Sequence, residues 1–137
     1  MTDHQIVKVL SANDTGETGG HQAGLLIPKE PRLLSFFPSL NKKAYNPRVH
    51  LQFIDDSGSY WEFAFIYYNN VFHGGTRNEY RLTRMTRYMR SAGVVAGDEV
   101  ILSRKEGRYR VAFKRARQVD MKDGVLRLGS GWRVVQI

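Results

Sequence analysis

The segment Arg48–Tyr68, RVHLQFIDDSGSYWEFAFIYY, gives the clearest secondary-structure signal in the chain. Both of its ends alternate polar and apolar residues and are rich in β-branched and aromatic side chains, as half-buried strands are. The residues Asp55-Asp56-Ser57-Gly58 between them are turn formers. We therefore predict strands over 48–54 and 60–68, joined as a β-hairpin.

Aromatic residues crowd the second strand of this hairpin. Period-two alternation places Trp61, Phe63, Phe65 and Tyr67 on one strand face. Exposed aromatic rings can stack on splayed bases, as they do in single-strand binders. The regular alternation favours a barrel wall packed on a core, and it argues against an RNA-recognition sheet.

The same pattern extends in both directions from the hairpin. It predicts further extended segments over 5–10, 22–27, 76–83, 99–104, 109–117, 125–128 and 132–136. Short helices are predicted over 32–37 and 84–91, and residues 11–20 form a polar, glycine-rich loop. Many short strands with regularly spaced turns are typical of a sandwich or a barrel. We predict a mostly β fold in which two short helices plug the ends of a partly open barrel.

Composition limits the class of protein. The 137 residues suit a single domain over 1–137, and the net charge of +8 with a pI near 10.0 is typical of nucleic-acid-binding domains. The chain lacks cysteine, which excludes a disulfide framework. We expect no membrane partner, because no apolar run approaches the length of a membrane span. Basic residues are concentrated in the second half of the chain: Arg77, Arg81, Arg84, Arg87, Arg90, Arg104, Lys105, Arg108, Arg110, Lys114, Arg115 and Arg117.

The stretch Gly74–Arg81, GGTRNEYR, combines side chains that recognise bases. Arg forks onto guanine, Asn pairs with adenine and Glu accepts from cytosine, whereas a segment that binds only phosphate would not carry a Glu. An exposed edge strand of mixed charge is the alternative. We call this stretch the second arm, because another candidate precedes it in the chain. Its predicted contacts are Thr76, Arg77, Asn78, Glu79, Tyr80 and Arg81, with Arg84 and Arg87 as phosphate contacts.

The glycine-rich loop near the N-terminus is the other candidate. Long loops in compact domains are usually functional or disordered, so a flexible connector is the alternative. Its small polar side chains suit contacts with base edges and phosphates. The predicted contacts of this first arm are Asn13, Asp14, Thr15, Thr18, His21 and Gln22.

Signals for catalysis are weak. Asp14 and Glu17 resemble part of a calcium loop but lack its ligand spacing. Asp56 and Glu62 leave open a metal-dependent nuclease fragment, although no lysine follows the glutamate where such a site needs one. A basic β-domain that binds an acidic protein is a further alternative. We expect no catalytic residue, metal, cofactor or small-molecule substrate in the chain itself.

Motifs in the first two thirds of the chain closely resemble the N-terminal DNA-recognition domain of EcoRII-type restriction endonucleases. The resemblance runs from about Leu10 to Arg84. The matching motifs are Ser11–Gly16, Thr18–Gln22, Gly24-Leu25, Ile27-Pro28, Phe37–Ser39, Asn46-Pro47, Ile66–Asn69, Thr76–Glu79, Arg81 and Thr83-Arg84. Tyr88 and the run Gly97–Leu102 are more loosely similar to plant B-three DNA-binding domains.

This resemblance implies an open pseudobarrel of seven or eight strands with two short helices. It implies a cytoplasmic prokaryotic effector domain that reads double-stranded CC(A/T)GG sites through two major-groove arms, with His21, Arg77, Glu79 and Arg81 at contact positions. It also implies a separate C-terminal nuclease domain, which is absent from this chain. The chain departs from the family at Leu26, which replaces a tyrosine, and at Gly75 and Tyr80, which each replace a lysine.

Overall fold

A computed structural model describes residues 3–17, 24–116 and 131–135. In this part of the chain the strands and helices follow in the order β1 His4–Val9, α1 Ala12–Thr15, β2 Leu25–Ile27, α2 Pro31–Leu34, β3 Arg48–Ile54, β4 Tyr60–Tyr68, a 3-10 helix Asn70–His73, β5 Glu79–Thr83, α3 Thr86–Ala92, β6 Glu99–Lys105, β7 Arg108–Lys114 and β8 Trp132–Val135.

The strands form one curled sheet in the order β2-β5-β4-β3-β7-β6-β1-β8. Strands β3 and β7 are parallel and pair over two residues, and every other neighbouring pair is antiparallel. The predicted mostly β, open pseudobarrel is confirmed, with eight strands. Within the described residues, no helix is long and apolar enough to cross a membrane.

A side chain brings the two edge strands of the sheet together. Trp132 on β8 is 1% exposed, and its indole Nε1 donates a hydrogen bond of 3.1 Å to the backbone oxygen of Leu26 on β2. A buried indole N–H needs an acceptor, and an edge strand offers unpaired carbonyl groups. The bond therefore links the edges without continuing the backbone ladder.

The core lies inside the curl of the sheet. Phe63, Phe65 and Tyr67 are buried on the inner face of β4, as predicted, and Trp61 on the same face is half-buried. The outer face of the same strand begins with exposed Tyr60 and Glu62. This alternation leaves the outer face available for other contacts.

Element boundaries differ from the predictions where side chains bond to the backbone. The β3–β4 hairpin has the predicted boundaries, but β5 begins at Glu79 because residues 76–78 belong to a loop. Helix α1 replaces part of the predicted first loop, because Ser11 and Asp14 form a capping box. The part of the chain that is described thus has three α-helices rather than two.

The two predicted helices form with shifted ends. Helix α2 has Pro31 at its first position, as expected, and ends at Leu34. Helix α3 begins at Thr86, two residues after Arg84, whose φ of 65° is incompatible with a right-handed helix. The predicted strand at 125–128 lies outside the described residues.

Candidate nucleic-acid interface

An open groove of about 570 Å³ lies on the outer face of β3, β4 and β5. Its floor is the sheet, and the two predicted arms contribute to its walls. Four guanidinium groups give the groove a cationic lining, and one imidazole lies among them. The lining residues are Asn13, Gly24, Arg48, His50, Ala64, Ile66, Tyr68, Arg77, Arg81, Thr83 and Arg84.

The second arm is shaped by the side chain of Asn70, which precedes it in the chain. Its Oδ1 accepts a hydrogen bond of 2.6 Å from the backbone N–H of Arg77, and its backbone oxygen accepts one of 2.7 Å from Gly75. Val71 N–H also donates to the backbone oxygen of Arg77 at 3.0 Å. Gly74 supplies the left-handed turn with a φ of 92°. These bonds hold Arg77 at the start of the extended segment.

Glu79 organises the two arginines that face the groove. Its Oε2 lies 3.0 Å from Nη1 of Arg81 and 3.6 Å from Nη2 of Arg77, while Oε1 accepts no hydrogen bond from any described residue. The guanidinium carbon of Arg77 also lies 3.8 Å from the centre of the Tyr68 ring. Arg77 and Arg81 are therefore held side by side by Oε2 of Glu79, and Oε1 has no hydrogen-bond donor among the described residues.

The charge of Glu79 follows from these contacts. Partial burial raises the pKa of its carboxyl group, but the hydrogen bond from Arg81 and the charges of Arg77 and Arg81 outweigh that effect. The net result is a pKa below its ordinary value, so Glu79 is ionised at neutral pH. Glu79 is accordingly an acceptor between two donors that line the groove.

Two predicted second-arm contacts point away from the groove. Tyr80 is 7% exposed and stacks on Tyr67, with 4.3 Å between ring centres, so it belongs to the core and not to the contact set. Asn78 Oδ1 accepts hydrogen bonds of 2.7 Å from both Lys29 Nζ and Tyr67 Oη. Asn78 therefore supports the arm. Thr76 is exposed and does not line the groove.

The first arm is described only as far as residue 17. Asn13 lines the groove, whereas Asp14 is 8% exposed and pairs with Lys8 Nζ at 2.7 Å. Asp14 also accepts from Ser11 N–H as part of the cap, so its role is structural and its assignment as a contact is corrected. Thr15 Oγ1 bonds Glu17 Oε1 at 2.7 Å. The remaining predicted contacts, Thr18, His21 and Gln22, lie outside the described residues.

The floor of the groove adds residues that the sequence patterns did not identify. Arg48 and His50 on β3 line it, and His50 Nδ1 lies 2.9 Å from Glu62 Oε1. Arg84 also lines it, and its Nη1 is 3.7 Å from the same oxygen. Arg87 is exposed on α3 and is not part of the lining. Outward alternation along β3 was the available signal for Arg48 and His50.

The residues considered for metal catalysis are dispersed. Among residues 3–17, 24–116 and 131–135, no three acidic or histidine side chains are grouped as a metal site. Glu62 is engaged by His50 and Arg84, and Asp55 beside Asp56 accepts from Trp61 Nε1 at 2.8 Å. Hydrogen bonds from Trp61 and Ser57 lower the pKa of Asp55 to about 2.

Comparison with known proteins identifies the family of the chain. Residues 3–94 match the family model described as restriction endonuclease EcoRII, N-terminal. The chain belongs to the EcoRII N-terminal family. This match spans β1 to α3, and so it includes every residue that lines the groove.

Individual relatives of this EcoRII N-terminal domain are consistent with the family match. The chain is 48% identical over 83 residues to the type II restriction enzyme EcoRII of Escherichia coli, a stretch that covers 57% of the chain and 20% of that enzyme. It is 28% identical over 117 residues to auxin response factor 14 of Oryza sativa subsp. japonica, covering 85% of the chain and 16% of that protein. The chain thus spans about a fifth or less of the length of these relatives.

The fold of the EcoRII N-terminal domain also occurs in a solved plant structure. The Arabidopsis FUS3–DNA complex superposes with a TM-score of 0.63 at 18% identity, covering 80% of the chain and 95% of the FUS3 chain. At this identity the likeness concerns the fold. Both chains form the same mostly β pseudobarrel.

Proposed function

We propose that the chain binds double-stranded DNA sequence-specifically, with two arms in the major groove. The supporting observation is the arrangement of Arg77, Glu79 and Arg81 in one row above a cationic floor. Donor, acceptor and donor then face outward in a fixed order. A base-edge sequence with the complementary order is recognised, and other sequences leave groups unpaired.

Each member of the row has a distinct task in this proposal. Arg77 and Arg81 fork onto guanine O6 and N7, and Glu79 uses its unoccupied Oε1 to accept from a cytosine amino group. Because the two arginines hold Oε2, the carboxylate is oriented before DNA arrives. Arg48 and Arg84 contact phosphates at the floor, which makes affinity fall with salt.

The first arm completes the interface on the opposite wall of the groove. Asn13 lies at the groove, and Thr15, Thr18, His21 and Gln22 are proposed to contact bases or phosphates. Thr76 stays in the proposal as a second-arm contact and Arg87 as a phosphate contact, and both lie outside the groove. The proposed domain comprises residues 1–137.

The biological role proposed for the chain is target recognition in a type II restriction enzyme of prokaryotic cytoplasm. Its site is CC(A/T)GG-like, and a C-terminal nuclease domain in a longer protein is its partner. The replacement of family lysines by Gly75 and Tyr80 removes two cations from the second arm. The site is therefore proposed to be related to CC(A/T)GG and not necessarily identical with it.

Selection from a random duplex library tests specificity and identifies the site together. We expect a single enriched motif rich in G·C pairs. Arg77→Ala should cost about 1–3 kcal/mol on that site and relax selection at one position. Arg32→Ala removes a charge outside the groove and should leave selection unchanged. Equal loss of affinity for all sequences would reduce Arg77 to a phosphate contact.

The same preparation tests the two alternatives. Cleavage of a plasmid in the presence of magnesium would favour a nuclease fragment over a reader. Binding of all duplexes with equal affinity would favour a basic domain whose natural partner is an acidic protein.

A further inference from the structure

A second, smaller cleft opens on the outer face of the sheet where β3 runs beside β7. It has a volume of about 390 Å³ and is called the distal cleft here. In the strand register, Ile54 pairs with Tyr60 on β4 and with Arg110 on β7, so these three residues form one row across three strands. The lining residues are Gln52, Ile54, Tyr60, Gly107, Arg108, Tyr109 and Arg110.

The charges of the distal cleft are not neutralised by neighbours. Arg108 and Arg110 are exposed, and neither forms an ion pair with a described acidic residue, unlike Arg77, Arg81 and Arg84. Lys105 on β6 lies opposite Arg108 and adds a third cation. Exposed cations without acidic partners are typical of a surface that meets a polyanion.

The cleft also presents an exposed aromatic ring. Tyr60 is 65% exposed and lies in the same row as Arg110, with Ile54 between them. Tyrosine hydroxyls and arginine forks are common donors to DNA phosphates, and the ring can pack on a sugar. Tyr109, in contrast, turns inward against Phe53, with 5.1 Å between ring centres. The outward groups therefore combine charge with a flat apolar surface.

We propose that the distal cleft binds the phosphodiester backbone of the duplex that flanks the recognition site. This inference rests on the proposed function and extends its footprint beyond the two arms. One duplex is the occupant: the arms read its bases, and the distal cleft holds its backbone further along the axis.

Strand β3 supplies the physical link between the groove and the distal cleft. Its outward residues Arg48 and His50 line the groove, and its outward residues Gln52 and Ile54 line the distal cleft. At about 3.3 Å per residue, Arg48 and Ile54 are about 20 Å apart. That distance corresponds to about six base pairs at 3.4 Å each along the axis.

The path between the two sites contains one carboxylate. Glu62 pairs with Gln52 in the register, at the boundary of the groove and the distal cleft. Its carboxylate contacts His50, and the guanidinium group of Arg84, 3.7 Å away, offsets its charge. A backbone that follows β3 thus passes from one cationic surface to the next without meeting an unpaired described acid.

Duplex length provides the test. The probes are a 30-base-pair and a 10-base-pair duplex, each with one central CCAGG, titrated with wild type and with the Arg108→Ala/Arg110→Ala variant. On the long duplex, the logarithmic salt slope of the variant should be shallower by about 1.8, since each neutralised phosphate contributes about 0.9. The affinity ratio of wild type to variant should therefore fall about twelvefold between 50 and 200 mM salt. On the short duplex, the two proteins should bind alike.

Controls separate this inference from the proposed function. The Arg32→Ala/Arg90→Ala variant loses the same charge at exposed positions outside both clefts, and its effect should not depend on duplex length. A wild-type salt slope for Arg108→Ala/Arg110→Ala on the long duplex would overturn the distal cleft and leave site recognition intact. Loss of binding by Arg77→Ala on both duplexes would at the same time support the arms. If the wild-type protein bound neither duplex and selected no sequence from a random library, both proposals would be overturned.

Discussion

The guanidinium carbon of Arg77 lies 3.8 Å from the centre of the Tyr68 ring. Tyr68 is the last residue of β4, on the rigid floor of the groove, while Arg77 is on the loop of the second arm. The stack therefore joins the loop of the second arm to strand β4 of the sheet. A side chain held in this way loses less conformational entropy when it binds a base.

Removing the ring should weaken recognition without removing the arginine. A cation–π contact at an exposed site is worth about 0.5–1 kcal/mol, so Tyr68→Leu should lower cognate affinity about two- to fivefold. Tyr68→Phe keeps the ring and should bind as wild type. Fluorescence anisotropy on the selected duplex measures both variants. Equal loss in Tyr68→Phe would assign the effect to the hydroxyl group.

Glu79→Gln tests whether the carboxylate is part of the readout. The variant keeps the shape of the side chain but loses the charge that holds Arg77 and Arg81. Cognate affinity should fall by about 1–3 kcal/mol, while affinity for scrambled duplexes should rise because a negative charge leaves the groove. Competition titrations with the two duplexes measure the ratio.

Glu62→Gln is the matched control for that experiment. It removes one negative charge at the boundary of the same groove, where the carboxylate contacts the lining residues His50 and Arg84. Both cognate and scrambled affinities should rise together. If Glu79→Gln behaves in the same way, Glu79 contributes only charge.

Gly75 should resist substitution by any residue that has a Cβ atom. A Cβ built on Gly75 would lie 2.6 Å from Asn70 Oδ1, the atom that accepts from Arg77 N–H. Gly75→Ala should therefore displace Asn70 and cost about 1 kcal/mol of cognate binding, the value of one hydrogen bond.

A double-mutant cycle checks this mechanism. In an Asn70→Ala background the bond to Arg77 is already lost, so Gly75→Ala should have little further effect. Additive losses in the cycle would show that Gly75 acts independently of Asn70.

Asp98 should make the fold sensitive to acid. The residue is 3% exposed, and its two carboxylate oxygens accept from the N–H groups of Val95 at 2.9 Å and Ala116 at 2.8 Å. Burial raises the pKa of Asp98, but these bonds and the charge of Arg115 outweigh it, so the pKa lies below its ordinary value. A pKa that is depressed on folding contributes stability above about pH 4 that is lost as pH falls through the folded value.

Urea unfolding at several pH values measures this contribution. Asp98→Asn should lower the free energy of unfolding at pH 6 by about 1–3 kcal/mol, since an amide cannot accept both bonds as a carboxylate does. The difference from wild type should shrink in acid. Asp56→Asn, at an exposed position, should stay within about 0.5 kcal/mol at every pH.

The strands of this protein are predictable because their signal is local. The β3–β4 hairpin has the predicted boundaries, since alternation and turn chemistry coincide there. Helix α1 was missed because its signal, the Ser11–Asp14 capping box, is a pair of bonds within a polar loop. The predicted start of β5 is too early, because the backbone N–H of Arg77 donates to the side chain of Asn70, seven residues before Arg77, and not to a neighbouring strand.

The candidate site likewise contains residues that the sequence identified and residues that only the structure placed there. Arg77, Glu79 and Arg81 were found from residue type, and their spacing of two places them on one face of an extended segment. The same spacing places Tyr80 on the opposite face, but only its burial against Tyr67 shows that it is core. Arg48 and His50 were missed, because neither carries a motif and both join the groove through strand pairing.

By itself the sequence determined the β class and the β3–β4 hairpin, because period-two patterning and turn chemistry act between near neighbours. Its residue types also supplied Arg77, Glu79 and Arg81 as proposed contacts. The tertiary structure alone decided that Glu79 holds two arginines beside Tyr68, that Trp132 links β8 to β2, and that β3 leads from the groove to the distal cleft. Those relationships depend on how the sheet curls and which strands become neighbours, and contacts between distant segments leave no period in the sequence.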